Sequence, residues 1–212
     1  MKTSTLMAAL AAGTLGTSAS AALFLNEVLA STTGADSEFI EIYNSGSSAV
    51  DLTGYTIDEI ESDAAGTLGT VDDTFVIPDG ASVPAGGYYV IGNAEFETAF
   101  GFTSDLTLPI SIENSSYTLI LKDALGAAVY TAFSDDGDGV PQGTPDISIP
   151  VDGTFLAAGY YLVGDGGSTA EFLEFSPKPA ASATPGAENL PEPATAALLG
   201  LGALAMLRRR SA

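Results

Sequence analysis

The sequence predicts an all-β sandwich with one short helix, flanked by an N-terminal signal helix and a C-terminal hydrophobic helix. Short runs in the central region alternate apolar and polar residues, which is the period of a half-buried strand. Gly, Pro, Asp and Ser separate these runs. No stretch between them is long enough for repeated helical crossovers, so antiparallel strands are expected instead of a parallel sheet. At 212 residues, one domain with short appendages is expected.

The first three strands are predicted between residues 24 and 57: Leu25 to Leu29, Phe39 to Tyr43 and Tyr55 to Ile57. In the second strand, Ile40 and Ile42 point to one face, whereas Phe39, Glu41 and Tyr43 point to the other. Because a glutamate stands between two large apolar residues, this second face is expected to be in contact with water.

Six further strands and one helix follow. The strands are predicted at Thr74 to Ile77, Tyr88 to Ile91, Tyr117 to Leu121, Ala128 to Phe133, Tyr160 to Val163 and Phe172 to Phe175. The helix is predicted over Ala94 to Phe100, because Asn93 can cap its first turn and Gly101 can end it. Phe96 and Phe100 stand four residues apart and would pack on the sandwich.

One phrase occurs twice in this region. Pro84-Ala85-Gly86-Gly87-Tyr88-Tyr89-Val90-Ile91-Gly92 is echoed by Leu156-Ala157-Ala158-Gly159-Tyr160-Tyr161-Leu162-Val163-Gly164. Two copies are too few for a solenoid, and the chain between them is too short for two complete sandwiches. A single sandwich is therefore expected, with the second phrase either an internal echo or convergence on one turn-plus-strand pattern.

Several of these segments resemble the lamin-tail domain family, an immunoglobulin-like β-sandwich of nuclear lamins and many secreted bacterial proteins. The likeness is carried by Asn26-Glu27-Val28, Glu38 to Asn44, Asp51-Leu52-Thr53-Gly54-Tyr55 and the first copy of the repeated phrase. Ala183-Thr184-Pro185-Gly186-Ala187-Glu188-Asn189 resembles the closing phrase of the same family. The resemblance implies an immunoglobulin-like fold over residues 22–178, followed by a Pro/Ala-rich linker and domain end at 179–190.

Composition removes several classes of function. The chain has no cysteine and no histidine, which excludes disulfides, thiolate nucleophiles, imidazole zinc sites and Ser-His-Asp hydrolysis. Between residues 23 and 190 only Lys122 and Lys178 are basic, against 26 acidic residues, a formal charge of −24. Such a body repels phosphate backbones, so nucleic acid is not an expected partner.

Residues 1–21 have the pattern of a secretory signal peptide. Lys2 supplies the positive start, Leu6 to Leu15 the apolar run, and Ala19-Ser20-Ala21 the small-residue cleavage site with Ala19 and Ala21 as its recognition positions. Signal peptidase is therefore an expected partner. No cysteine follows the run, which excludes a lipoprotein.

The carboxyl end, residues 191–212, combines Pro191-Glu192-Pro193, an apolar run from Ala194 to Leu207, and the basic cluster Arg208, Arg209 and Arg210. As a helix the run would span about 21 Å at ~1.5 Å per residue, short of a hydrocarbon core of roughly 30 Å. The arginines would remain cytoplasmic and hold the domain outside the inner membrane. An amphipathic surface helix is disfavoured because the run has no charged face.

This arrangement resembles the PEP-CTERM sorting signal of Gram-negative bacteria that make extracellular polysaccharide, with Pro191, Glu192 and Pro193 as its signature. The resemblance implies transient tethering to the inner membrane, cleavage by an exosortase-type enzyme, and delivery to the cell surface or extracellular matrix. A Gram-positive sortase signal is the nearest rival, but here alanine follows the threonine where that signal needs glycine.

One acidic loop is a candidate cation site. In Ser134-Asp135-Asp136-Gly137-Asp138-Gly139, carboxylates on a Gly-rich loop suit a hard cation such as calcium. Asp135, Asp136 and Asp138 would be the ligands, with Asp146 completing the shell. Val140 stands where the EF-hand pattern needs a ligand, so a solvated acidic hairpin loop remains the alternative.

Two classes of function are compatible with these observations. The first is a non-catalytic, surface-sorted sandwich that is structural or binds polysaccharide or protein. Sugar rings could stack on some of its tyrosines, namely Tyr55, Tyr88, Tyr89, Tyr160 and Tyr161. Because adjacent tyrosines on a strand point to opposite faces, half of them would be core. The second is an extracellular glycan hydrolase that uses distant carboxylates. The absence of a catalytic motif favours the first and predicts no catalytic residues and no required cofactor.

Overall fold

The computed structural model describes residues 22–30, 37–149, 159–173 and 183–189. The predicted signal peptide with Ala19 and Ala21, and the sorting segment with Pro191, Glu192, Pro193 and Arg208 to Arg210, lie outside these residues. Among the described residues, no helix is long and apolar enough to cross a membrane.

Two sheets face each other in the described part of the chain, which confirms the predicted β-sandwich. Their elements are β1 (Leu23–Leu29), β2 (Phe39–Asn44), β3 (Val50–Asp51), β4 (Thr56–Glu61), β5 (Val71–Val76), β6 (Ser82–Val83), β7 (Tyr88–Gly92), α1 (Ala94–Phe100), β8 (Leu106–Thr107), β9 (Tyr117–Lys122), β10 (Ala128–Ser134), β11 (Ile147–Ile149), β12 (Gly159–Leu162) and β13 (Ala170–Phe172). The first sheet has the order β13-β12-β1-β2-β7-β8, the second β11-β10-β9-β4-β5, and β3 pairs with β6. All described pairings are antiparallel except β7 with β8 and β10 with β11.

The main core lies between the two sheets. Ile40 and Ile42 of β2 are fully buried there, in one cluster with Leu119 and Leu121 of β9, as the alternation predicts. The two copies of the repeated phrase form β7 and β12, which flank the β1–β2 pair within the first sheet. Both copies therefore belong to one sandwich.

A second, smaller core covers the other face of the first sheet. It contains Leu29, Phe39, Val90, Phe96, Tyr161 and Leu173. Helix α1 supplies Phe96, and its ends are those predicted: the Asn93 side chain accepts a hydrogen bond from the backbone N–H of Phe96, and Gly101 ends the helix with φ 62°. The outer face of this sheet is thus covered around Phe39, Val90 and Tyr161.

Candidate functional site

A β-bulge places two glutamates side by side on the covered face of the first sheet. The register of β1 against β2 shifts between Leu25 and Glu27, so Asn26 is the extra residue and Glu27 lies opposite Glu41. Both glutamates have no exposed surface. The expectation that Glu41 points to water is wrong, because residues 183–189 lie over this part of the sheet.

Residues 183–189, which we call the closing segment, bind these carboxylates through their backbone. The N–H of Thr184 donates to both carboxylate oxygens of Glu27 at 3.0 and 3.2 Å. The N–H of Gly186 donates to Oε2 of Glu41 at 2.6 Å, and the N–H of Asn189 donates to Oδ1 of Asp165 at 3.0 Å. Three carboxylates thus hold three amides of one short segment, in the part of the chain predicted as linker and domain end.

The amide side chains of Asn26 and Asn189 connect this network. Asn26 Nδ2 donates to Glu41 Oε1 at 2.9 Å and to Asp165 Oδ1 at 3.1 Å, while Asn26 Oδ1 accepts from the N–H of Gly166. Asn189 Nδ2 donates to the backbone oxygen of Asn26 at 3.3 Å. Asn189 is therefore tied to the sheet by its side chain as well as by its backbone.

Burial changes the acidity of both glutamates. The pKa of Glu27 is raised well above its usual value, first by burial and then by the neighbouring Glu41 carboxylate. Burial raises the pKa of Glu41 to about 7, although the hydrogen bonds from Asn26 and Gly186 oppose the shift. Each carboxylate is thus costly to ionise in the folded chain.

Gly186 allows the closing segment to lie close to the sandwich. Its φ is +73°, a conformation that other residues rarely adopt, and a Cβ added there would lie 2.9 Å from the Phe102 ring. Phe102 packs in turn on Phe96 of α1, with ring centroids 5.9 Å apart. The second core and the closing segment are therefore in direct contact.

A row of aromatic side chains lies on the same sheet, beside the glutamates. Phe24, Tyr43 and Tyr88 are register partners on β1, β2 and β7, and each is half-buried. Ring centroids are 6.4 Å apart between Phe24 and Tyr43, and 5.3 Å between Tyr43 and Tyr88. The Tyr88 hydroxyl donates to Asp165, which orients this ring against the network below the closing segment.

The expected division of the tyrosine pairs between core and surface holds for one pair. Tyr89 is in the main core, whereas Tyr88 belongs to the half-exposed row. Tyr160 and Tyr161 are both buried, in the main and second cores respectively, because the outer face at β12 is also covered. Tyr55 is half-buried and packs against the main core.

The acidic loop brings two of the three predicted calcium ligands, Asp136 and Asp138, together with Asp63. Carboxylate oxygens of Asp63, Asp136 and Asp138 lie within 4.8 Å of one another. They line an open cleft of about 500 Å³. Asp135 instead accepts hydrogen bonds from the N–H groups of residues 137 and 139, which shapes the loop, and Asp146 pairs with the backbone of Thr131 in β10.

A second acidic group lies near the same end of β4. Glu61, Asp72 and Glu113 bring carboxylate oxygens within 4.8 Å of one another. The buried Glu59 accepts the N–H of Glu113 at 2.6 Å, and burial raises the pKa of Glu59 to about 8. Carboxylates this close repel one another, so the end of the sandwich that holds both groups has a strong negative potential.

The paired carboxylates required by the hydrolase hypothesis are also found on β1 and β2. Glu27 and Glu41 face each other across a strand pair, but both are buried and accept backbone N–H groups. A glycosidic bond has no access to such a pair while the closing segment is in place. Sequence reasoning overlooked this pair; two consecutive polar residues, Asn26 and Glu27, within an apolar strand are the signal that indicates the bulge.

Two parts of the chain match models of known protein families. Residues 16–135 match the family model described as Lamin Tail Domain. Residues 189–211 match the model described as the PEP-CTERM protein-sorting motif. No curated protein matches the chain.

Proposed function

The chain belongs to the lamin tail domain family, and from this premise we propose that it is a non-catalytic sandwich that binds neutral polysaccharide at the cell surface or in the extracellular matrix. It is also an exported, exosortase-sorted β-sandwich protein, as the PEP-CTERM motif implies. Its export, membrane-associated sorting and processing by an exosortase follow from that motif.

The observation that carries the binding proposal is the row formed by Phe24, Tyr43 and Tyr88. Aromatic rings stack on sugar rings, and Tyr43 and Tyr88 lie side by side on adjacent strands at the half-exposed part of this row. Phe24 ends the row and is held by an edge-on contact with Tyr130 of the second sheet. The hydrogen bond from Tyr88 to Asp165 fixes one ring before a ligand arrives, which lowers the entropic cost of binding.

The negative charge of the chain indicates which class of polysaccharide it can bind. The formal charge of the chain is −21, and in the central region the excess is larger because four of the six basic residues lie near the ends. Anionic polysaccharides would be repelled at low salt. A neutral glycan is therefore the class of ligand that fits both the aromatic row and the surrounding potential.

Affinity electrophoresis tests the proposal. The protein is run on native gels cast with hydroxyethyl cellulose, dextran or alginate, and we expect retardation in at least one neutral gel and none in alginate. Tyr43→Ala, which interrupts the row at its centre, should lose at least tenfold in affinity. Tyr55→Ala is the matched control, because Tyr55 is also half-buried but lies outside the row. Equal retardation of both variants, or none for the wild type, would contradict the proposal.

Sorting is tested separately by removing residues 190–212, which leaves the closing segment intact. In a Gram-negative host with an exosortase, the full chain should lose its tail and leave the inner membrane for the surface or medium. The truncated chain should be cleaved only by signal peptidase and collect in the periplasm. Identical fractionation of the two forms would contradict the sorting function.

A further inference from the structure

We propose that the closing segment, residues 183–189, is a latch that shields the sorting junction from the processing protease while it is docked on the sandwich. The inference rests on the proposed function, since it takes the residues after Asn189 as the substrate of an exosortase-type protease.

The first step is the way in which the segment is held. Its backbone N–H groups at Thr184, Gly186 and Asn189 all point to carboxylates that belong to the first sheet or to the loop after β12. Between the donors at 184 and 186 the chain turns: the N–H of Ala187 donates to the backbone oxygen of Thr184 at 2.9 Å, and Gly186 has a φ of +73°. Docking therefore fixes the backbone of the segment up to its last residue.

The closing segment ends close to the sorting motif. Asn189 is 1 % exposed and hydrogen-bonded to Asn26, Asp165 and Thr184. Only Leu190 separates it from Pro191. At ~3.5 Å per residue, an extended chain places Pro191 within about 7 Å of Asn189, and the start of the apolar run at Ala194 within about 18 Å.

A protease needs access to several residues next to the peptide bond that it cleaves. Peptide-binding grooves take an extended segment of several residues through its backbone groups. The backbone N–H of Asn189 is already bound, and its side chain is buried in the domain. A protease can therefore bind the residues before the motif only after the closing segment undocks.

The segment is also suited to release. It forms no strand pairing in the described structure, and its anchors are carboxylates whose burial it completes. Undocking returns water to Glu27 and Glu41 and relieves the desolvation that raises the pKa of both groups. Local opening of such a segment requires no unfolding of the sandwich.

The test uses the full-length chain and two glycine variants. Gly186→Ala places a Cβ 2.9 Å from the Phe102 ring at a φ of +73°, so it should expel the segment. Gly80→Ala is the matched control, because its φ of +84° imposes similar strain but no atom lies within 4 Å of the new Cβ. Thr184→Pro, which removes the N–H bound to Glu27, is a second releasing variant.

Two measurements are made on each protein. Hydrogen exchange of the purified chain should show at least tenfold faster exchange over residues 184–189 in both releasing variants, with the sandwich strands still protected. Pulse–chase in a host with an exosortase should show tail removal several-fold faster in these variants than in the wild type and in Gly80→Ala.

Faster exchange with unchanged or slower processing would overturn the shielding role. Unchanged exchange in both releasing variants would overturn the docking itself. If the releasing variants are processed and the wild type is not, the latch is supported. If no variant is processed, the sorting function fails and shielding fails with it, while the exchange data still decide whether the segment docks.

Discussion

Raising the pH from 5 to 9 is expected to destabilise the sandwich. Glu41 on β2 and Glu59 on β4 are buried, and burial raises their pKa values to about 7 and about 8 respectively, above a usual value of 4.5. Glu27 shifts in the same direction. In the unfolded chain these side chains regain water and ionise at their ordinary pKa.

The sign follows from proton counting. Between pH 4.5 and the raised pKa, the folded chain binds protons that the unfolded chain has lost, so the free energy of unfolding falls as pH rises. The stabilisation is complete below about pH 4.5 and is lost as pH passes through 7 and 8. For Glu41 the difference of about 2.5 pKa units corresponds to about 3 kcal/mol, and Glu59 contributes on the same order.

Urea denaturation between pH 5 and 9 measures this effect, with salt near 0.5 M to screen the general repulsion among exposed carboxylates. Glu59→Gln keeps an oxygen that can accept the N–H of Glu113 and removes the titration. Its stability should therefore vary less with pH than that of the wild type, by about 4 kcal/mol across the range. Glu95→Gln makes the same charge change at an exposed position on α1 and serves as the control.

Two results would refute the reasoning. One is stability that stays constant or increases from pH 5 to 8. The other is equal pH dependence in Glu59→Gln and Glu95→Gln, which would assign the effect to net charge and not to the buried group.

Three further predictions concern the cores, a turn and the acidic cleft. Phe96→Ala should cost about 3–5 kcal/mol in urea denaturation, because the ring is fully buried between α1 and the sheet; a loss below 1 kcal/mol would contradict this. Asn44→Ala should cost about 2 kcal/mol or more, since its buried side chain bonds four backbone groups, and a thermal melt unchanged from wild type would argue against it. If Asp63, Asp136 and Asp138 coordinate calcium, millimolar calcium should raise the melting temperature of the wild type but not of the Asp136→Asn/Asp138→Asn double variant. If the wild type shows neither heat of calcium binding nor a change in melting temperature, the group is a solvated acidic loop.

The regular part of the fold could be predicted because its signals are local. Alternation located the long strands, and β2, β9 and β10 begin at the predicted residues. The caps at Asn93 and Gly101 defined α1. The two- and three-residue strands β3, β6, β8 and β11 were not predicted, since such short pairings depend on a neighbouring strand and leave almost no periodicity in the sequence.

The site could be predicted only in part, because it depends on long-range contacts. Glu41 was assigned to a wet face from its polarity, and the covering segment lies 145 residues further along the chain. Asp63 was overlooked at the acidic cleft for the same reason, since the loop at 136–138 meets it through the fold and not through sequence spacing. Asp135 resembles a ligand in sequence but uses its carboxylate to shape its own loop.

The buried acids share one structural role that explains why an acidic chain tolerates them. Irregular segments that cover a sheet bring backbone N–H groups out of water, and each such group needs an acceptor. Here the acceptors are carboxylates far away in sequence, as the donor–acceptor pairs Thr184–Glu27, Ile112–Glu38, Gly186–Glu41 and Glu113–Glu59 show. Lys122 pairs with Asp58, and within the described residues no basic side chain forms an ion pair with Glu27, Glu41 or Glu59. For Glu27, Glu41 and Glu59 the backbone amides offset the cost of burial in part, and the pKa of each carboxyl stays raised. The same carboxylates therefore attach the covering segments and make their attachment sensitive to proton concentration, most directly at the closing segment that precedes the sorting motif.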